Sequence, residues 1–277
     1  MRMRVPVALT ASLALASCAG GSAGAPTLGY AVPGPSEVRY LVGDTLTISL
    51  EGLGQPMEIA ARSAATYALR FTSSGAGVRV SATVEELDAS VVMPGASPLS
   101  MDEGALAGDF VFELDGRGHA SSMSSPQANQ LGGQVFAAPV VAHALFPRLP
   151  GRVVSAGDSW VDSVTYREEA EAGETQVRSS LTYTVVGEPQ MNGRSLLEIG
   201  FEGTAQVTQD LDLEGASVVQ SSEVEVEGRL LWDTGASVLY ESEMTMTGQG
   251  SVRIALLPGA ALPTRVRWLS RVRLRDD

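Results

Sequence analysis

From residue 38 onward the chain alternates. Leu46, Ile48 and Leu50 are interleaved with Thr45, Thr47, Ser49 and Glu51, and Val78, Val80, Ala82 and Val84 with Arg79, Ser81, Thr83 and Glu85. Val224 and Val226 stand between Glu223, Glu225 and Glu227, and Met244 and Met246 between Glu243, Thr245 and Thr247. A period of two puts the apolar side chains of a strand on one face and the polar ones on the other, which is what an antiparallel sheet with one wet side requires. Turn clusters "SSGAG" (73–77), "DGRG" (115–118), "MNGR" (191–194) and "DTGA" (233–236) break the runs. With such punctuation the chain divides into about a dozen strands.

The pattern is written twice. "YLVGDTLTISL" opens one half and "VSAGDSWVDSV" the other, so that Gly43-Asp44-Thr45 precedes Gly157-Asp158-Ser159 by 114 residues. "LAGDFVFELDGRGHASSM" and "VEGRLLWDTGASVLYESEM" then repeat a strand, an acidic Gly-containing turn and a returning strand; Gly43 to Gly108 is 65 residues and Gly157 to Gly228 is 71. Matching landmarks at nearly equal separation point to an internal duplication, although a β-meander also repeats its hairpin turns. The halves run over 38–123 and 151–277, joined by a helical connection at 124–150. Within that connection Ser125 is a candidate N-cap with Pro126 at the first helical position. Leu131, Val135, Phe136, Val140 and Leu145 fall on one stripe, while Gly132, Gly133 and Pro139 weaken or kink the helix. The fold class that follows is mainly β: an antiparallel curved sheet, or unclosed β-barrel, of two similar halves with one central helix packed on the concave face.

The N-terminus is of a different kind. Arg2 and Arg4 precede an apolar run, Val5 to Leu15, which is too short for the roughly 20 residues a membrane span needs and has the form of a secretory signal. It ends in Leu15-Ala16-Ser17-Cys18, which resembles the bacterial lipobox, with Cys18 as the lipid-attachment residue and first residue of the mature chain. An ordinary signal peptide with an incidental cysteine is the alternative. Cys18 is the chain's single cysteine, so no disulfide can form within the chain and its stability rests on the core. Ala19, in place of an Asp, points to the outer of two membranes. Residues 18–36, rich in Gly, Ala, Pro and Ser, read as a lipidated N-terminus followed by a flexible linker. Gly20-Gly21-Ser22-Ala23-Gly24 matches the nucleophile-elbow pattern, but the strand and helix that the elbow needs do not flank it.

Removing residues 1–17 takes two arginines away and leaves 260 residues in which 17 arginines face 32 carboxylates, a net charge of −15. There is no lysine. Such an acidic chain is a poor match for nucleic acid or an anionic membrane surface, so the partners expected are the membrane, through the lipid anchor, and an apolar ligand such as a lipid.

"FPRLPGRVVSAGDSW" (146–160), "TYTVVG" (182–187) and "EGRLLWD" (227–233) resemble a family of bacterial lipoproteins of unknown function built from two such halves. More distantly the chain resembles the unclosed β-barrel of the LolA and LppX type, in which a curved sheet cups helices and holds acyl chains. Both resemblances imply a cell-envelope location, and neither supplies binding residues, because no carrier motif is matched.

Chemistry-bearing residues are scattered. His119 and His143 have no metal-ligand spacing around them, and Asp210, Asp212 and Glu214 lack the loop of a calcium site and read as a solvated strand face. Asp44 and Asp158 read as turn residues rather than paired carboxylates, and Trp160 as a core anchor rather than a ligand platform. At the C-terminus Arg265, Arg267, Arg271, Arg273 and Arg275 share one strand face. They form either an anion-binding strip or the partners of strand-borne glutamates, and pairing is the expectation. No cofactor, metal or catalytic constellation follows from the sequence. The reading that remains is a non-enzymatic envelope lipoprotein binding an apolar ligand; the alternatives are an interaction protein with a solid core and, third, an exported enzyme.

Overall fold

A computed structural model of the protein describes residues 27–52, 57–75, 77–92, 94–95, 97–128, 138–170, 173–213, 216–254 and 261–275. The first half holds β1 (Thr27–Leu28), β2 (Glu37–Leu50), β3 (Met57–Ser74), β4 (Gly77–Val92), β5 (Leu99–Asp102), β6 (Leu106–Ala107), β7 (Phe110–Leu114), β8 (Ala120–Ser124) and β9 (Gln127–Ala128). Among the described residues one α-helix, α1 (Ala138–Leu145), follows. After it come β10 (Arg152–Val153), β11 (Ser159–Ala170), β12 (Gly173–Gly187), β13 (Gln190–Met191), β14 (Arg194–Leu213), β15 (Ala216–Asp233), β16 (Val238–Ile254) and β17 (Leu262–Arg275).

Thirteen strands form one antiparallel sheet, ordered β11-β12-β14-β15-β16-β17-β2-β3-β4-β7-β8, with β13 attached to β14 and β5 to β4. The fold is mainly β, and the sheet is not closed: its end strands β11 and β8 do not pair with each other. Each half is a meander, and the last strand of the chain sits between them, pairing with β16 on one side and β2 on the other. The strands are long; β14 has 20 residues, against a typical five or six. Bulges at Thr66/Tyr67, Val185/Gly187 and Leu231/Trp232 bend them. Glycines at inward positions do so too. At Gly203, Gly228, Gly248 and Gly250 a Cβ would overlap the backbone of a neighbouring strand, so only glycine allows the sheet to coil this tightly.

Alternation sorts the two faces. Inward positions of β15 carry the buried Ser222, Val224, Val226 and Leu230, and outward ones the exposed Glu223, Glu225, Glu227 and Arg229. One apolar core runs through both halves. It is solid at one end, where Tyr40, Tyr67, Phe110, Phe112, Phe146, Leu149 and Trp232 are all buried. Tyr40 donates to the Leu239 carbonyl at 2.8 Å, tying β2 to β16 across β17.

The gap between β8 and β11 is crossed by α1 and the strap after it. Along this strap Leu149 N–H donates to the Arg117 carbonyl (3.1 Å) and Trp160 Nε1 to the Arg148 carbonyl (3.2 Å). The strap thus holds the turn before β8 on one side and β11 on the other.

Three expectations are corrected. The linker does not extend to residue 36: Thr27–Leu28 pairs with Arg152–Val153, Leu28 is buried, and Tyr30 packs edge-on to Trp232 at 5.1 Å while donating to the Pro147 carbonyl. The helical connection is shorter than 124–150, since Gln127–Ala128 is a strand and the helix described is Ala138–Leu145. Ser125 and Pro126 do not begin a helix but stand between β8 and β9; Ser125 Oγ instead accepts Ala138 N–H at 3.1 Å. Finally, Gly43-Asp44 lies within β2, whereas Gly157, with φ +89°, and Asp158 form the expected turn. Asp158 Oδ2 accepts Ser155 N–H at 2.9 Å there.

Candidate functional site

Beyond the solid end the same strands enclose a hollow. A cavity of about 240 Å³ is walled by inward residues of β2, β11, β12, β14, β15, β16 and β17, among them Leu46, Val207, Val224, Met246, Val266 and Trp268. The helix supplies Val140, His143 and Ala144 to its wall. Of the expected stripe, Val140 faces this cavity, Leu145 is buried in the core, and Leu131, Val135 and Phe136 lie outside the described residues. Cys18 lies outside them too.

Polar groups in the hollow satisfy one another. Asp44, expected in a turn, points inward, where Oδ1 accepts Trp268 Nε1–H at 3.0 Å and Oδ2 accepts the Ser63 hydroxyl at 3.3 Å. Gln220 donates to Ser222 and Gln209 to Thr175, each at 3.4 Å. Burial raises the phenol of Tyr67 above its usual range, with the Asp44 charge adding to the effect.

A second cavity of about 200 Å³ lies at the seam, lined by His119, Met123, His143, Phe146, Arg148 and Tyr166 among others. It shares His143, Val164 and Tyr166 with the first. The fold thus brings together the two histidines that the sequence left unrelated. No group of three or more metal-ligating side chains forms among the described residues.

Two charged residues that the sequence reading passed over stand here. Asp162 occupies an inward position of β11 between Trp160 and Val164, and its Oδ2 lies 3.7 Å from Arg148 Nε. Their side chains are 16% and 19% exposed for Arg148 and Asp162 respectively. Arg148 Nη1 is buried without a hydrogen-bond partner. The signal for Asp162 was present in the alternation, since it is a carboxylate in the apolar phase of its strand. Arg148, between prolines in an irregular strap, gave none.

Burial holds the His143 imidazole below its usual value of 6.5, and the Arg148 charge pushes the same way while Asp162 opposes both. The folded protein therefore resists a proton that the unfolded chain accepts. Stability falls as pH drops through about 6.5 and stops falling from this source once the folded imidazole protonates. His143→Gln is expected to flatten the decline in Tm between about pH 7.5 and about pH 5; an unchanged slope would place the pH sensitivity elsewhere.

The C-terminal arginines face outward. Arg271 pairs with Glu243 (3.2 Å) and Arg265 with Glu51 (3.1 Å), while Arg273 is opposite Glu241 in register. Among the described residues Arg267, Arg273 and Arg275 make no ion pair. Glu223, Glu225 and Glu227 lie on β15, one strand too far away. A wide depression of about 710 Å³ on this outer wall is lined by Glu202, Glu227, Arg229, Glu243 and Arg271. Arg229 bridges Glu241 and Glu243 at 3.2 and 3.4 Å, so its charges already answer one another. Asp210 is exposed on β14; the Asp212 side chain and Glu214 are outside the described residues.

No protein-family profile matches the chain, and no curated protein sequence does. Among solved structures, the β domain of the Bordetella autotransporter BrkA aligns over 87% of this chain and 100% of its own at 12% identity, with a TM-score of 0.24. Pseudomonas aeruginosa OccK2 (OpdF), solved with glucuronate, aligns over 86% and 98% at 10% identity, TM-score 0.25. The outer membrane protein OpdK of the same organism covers 86% and 99% at 6% identity, TM-score 0.22. Scores this low carry no conclusion about fold or function. The polarity of the wall is in fact opposite to that of a transmembrane barrel, whose outer face is an apolar band; here charges face out and valines face in. Among the described residues no helix is long and apolar enough to cross a membrane.

Proposed function

We propose that this chain is a cell-envelope lipoprotein, anchored through Cys18, whose half-open barrel binds an apolar ligand such as a lipid and performs no catalysis. The observation that supports this most is the hollow: apolar side chains of seven strands and one helix surround unfilled space, while outward positions such as Glu223, Glu225, Glu227 and Arg229 carry charge. The signal-like N-terminus supports the address, and the resemblance to duplicated-half lipoproteins, and more distantly to LolA and LppX, agrees with it.

A second reading has its own support. At about 240 Å³ the cavity is below the roughly 300 Å³ at which small-molecule pockets begin, which favours an interaction protein with an almost filled core. The adjoining seam cavity weighs against this, because a narrow ligand passing His143 could occupy both spaces.

Native mass spectrometry of the full chain carrying Cys18→Ser, prepared without detergent, tests the proposal. The expected result is extra mass that is lost on denaturation and proves to be a lipid. A bare protein mass that also remains unchanged after incubation with phospholipid and fatty acid would overturn it in favour of the solid-core reading. The full chain is used because Thr27–Tyr30 belongs to the fold.

A further inference from the structure

We infer that Arg148 is the head-group receptor of this site, and that the ligand is an acyl-chain amphiphile whose anionic oxygens bind at the seam while its chain lies in the apolar hollow. The inference rests on the apolar-ligand reading and adds to it the chemistry of the ligand's polar end.

The charge of Arg148 is only half answered. Nε faces Asp162 at 3.7 Å, too far for a hydrogen bond and close enough for attraction. Nη1, on the guanidinium, has no partner. A buried donor left unmade costs stability, and a charged one costs more. Such a group is retained where something else completes it.

The surroundings say what that partner is. Tyr30 donates its hydroxyl proton to the Pro147 carbonyl and Trp160 its indole N–H to the Arg148 carbonyl, and neither bonds Nη1. His143, kept neutral by burial and by the arginine itself, adds no competing positive charge. The missing partner is therefore an acceptor, and a guanidinium suits the paired oxygens of a carboxylate or phosphate. Arg148 lines the seam cavity. Nη1 itself is sealed, so a head group reaches it as the guanidinium swings toward space that its own side chain already borders.

From that point one route leads inward. His143, Val164 and Tyr166 form the boundary common to both cavities, and on the far side Val207, Val224, Met246 and Val266 offer only apolar contact to a chain. Head and tail requirements are met in sequence along one path. The outer-wall arginines lack this arrangement, being exposed and without an adjoining apolar channel.

The test is a displacement titration. The full chain carrying Cys18→Ser is loaded with the neutral fluorescent probe N-phenyl-1-naphthylamine and challenged with decanoate, decyl phosphate and decanol. The anions are expected to bind about 10- to 100-fold more tightly than the alcohol, the range that one charge-assisted contact supplies. Arg148→Met is expected to erase that difference and leave the alcohol and the probe unaffected, Arg148→Lys to restore part of it, and Asp162→Asn, which removes the competing carboxylate, to tighten the anions further. A preference for decanoate identifies a fatty acid, and one for decyl phosphate a phospholipid-like head. Probe binding with equal affinity for all three ligands would overturn the Arg148 assignment and leave the apolar-ligand reading intact. Failure of the probe and every ligand to bind would overturn both. Should Arg148→Met not fold, as judged by circular dichroism, the same head-group comparison in Arg148→Lys and Asp162→Asn decides the question.

Discussion

Asp233→Ala is expected to cost about 3 kcal/mol of stability, the lower end of what breaking a buried ion pair costs. Asp233 is 4% exposed and does three things at the end of β15. Its Oδ1 accepts the N–H groups of Gly235 and Ala236, both at 2.9 Å, and its Oδ2 accepts Arg194 Nη1 at 2.9 Å. Its carbonyl accepts Ser237 N–H at 2.8 Å, holding Ser237 at φ +58°. Alanine keeps only the last of these. Arg194 is 34% exposed, so water recovers part of the loss, which is why the lower end applies. For a domain of this size the Tm falls by roughly 6–12 °C. Asp233→Asn keeps an acceptor for the turn and is expected to lose about half as much. Thermal melts of the two variants check both, and an alanine variant melting with the wild type would show that the turn holds without its carboxylate.

Gly248→Val is the second large effect. Gly248 is an inward residue of β16 opposite Val224. A Cβ there would overlap the Glu223 carbonyl oxygen and stand 2.6 Å from Val224 Cα and 2.8 Å from its Cγ1. Backbone atoms cannot step aside as a side-chain end can, so β15 and β16 must separate. The cost is about 3 kcal/mol or more, at or above the usual upper range for overpacking. A control is Gly34→Ala, where nothing lies within 4 Å of the added carbon and a change within about 0.5 kcal/mol is expected. Urea midpoints measure both. Equal midpoints for Gly248→Val and wild type would mean that the tight coil of the sheet does not depend on this glycine.

What the sequence made legible was whatever repeats. The alternation of β2, β4, β15 and β16 assigned strands and faces correctly because a period of two has one structural meaning in a half-wet sheet. Outward Arg271 and Glu243 could be matched for the same reason. Single events were illegible. Asp44 sits in a Gly-Asp pair that looks like a turn, yet here the pair continues a strand, because Trp268 and Ser63 give its carboxylate inward partners. Tyr30 follows a Gly- and Ala-rich stretch that reads as linker, and distant partners, among them Trp232 and the Pro147 carbonyl, make it part of the core. The Arg148 site is assembled by a strap with no periodicity, and no local pattern marks where such a strap will cross.

The position of β17 also bears on the order in which the molecule can form. The last strand of the chain pairs with the first long one, Arg273 with Leu41 and Thr264 with Leu50, so the join between the halves closes a loop of more than 200 residues. Contacts of such separation are slow to form. Until β17 is in place, β2 and β16 each keep an open edge that no other described strand covers. β17 is thus the strand that commits two meanders to one sheet.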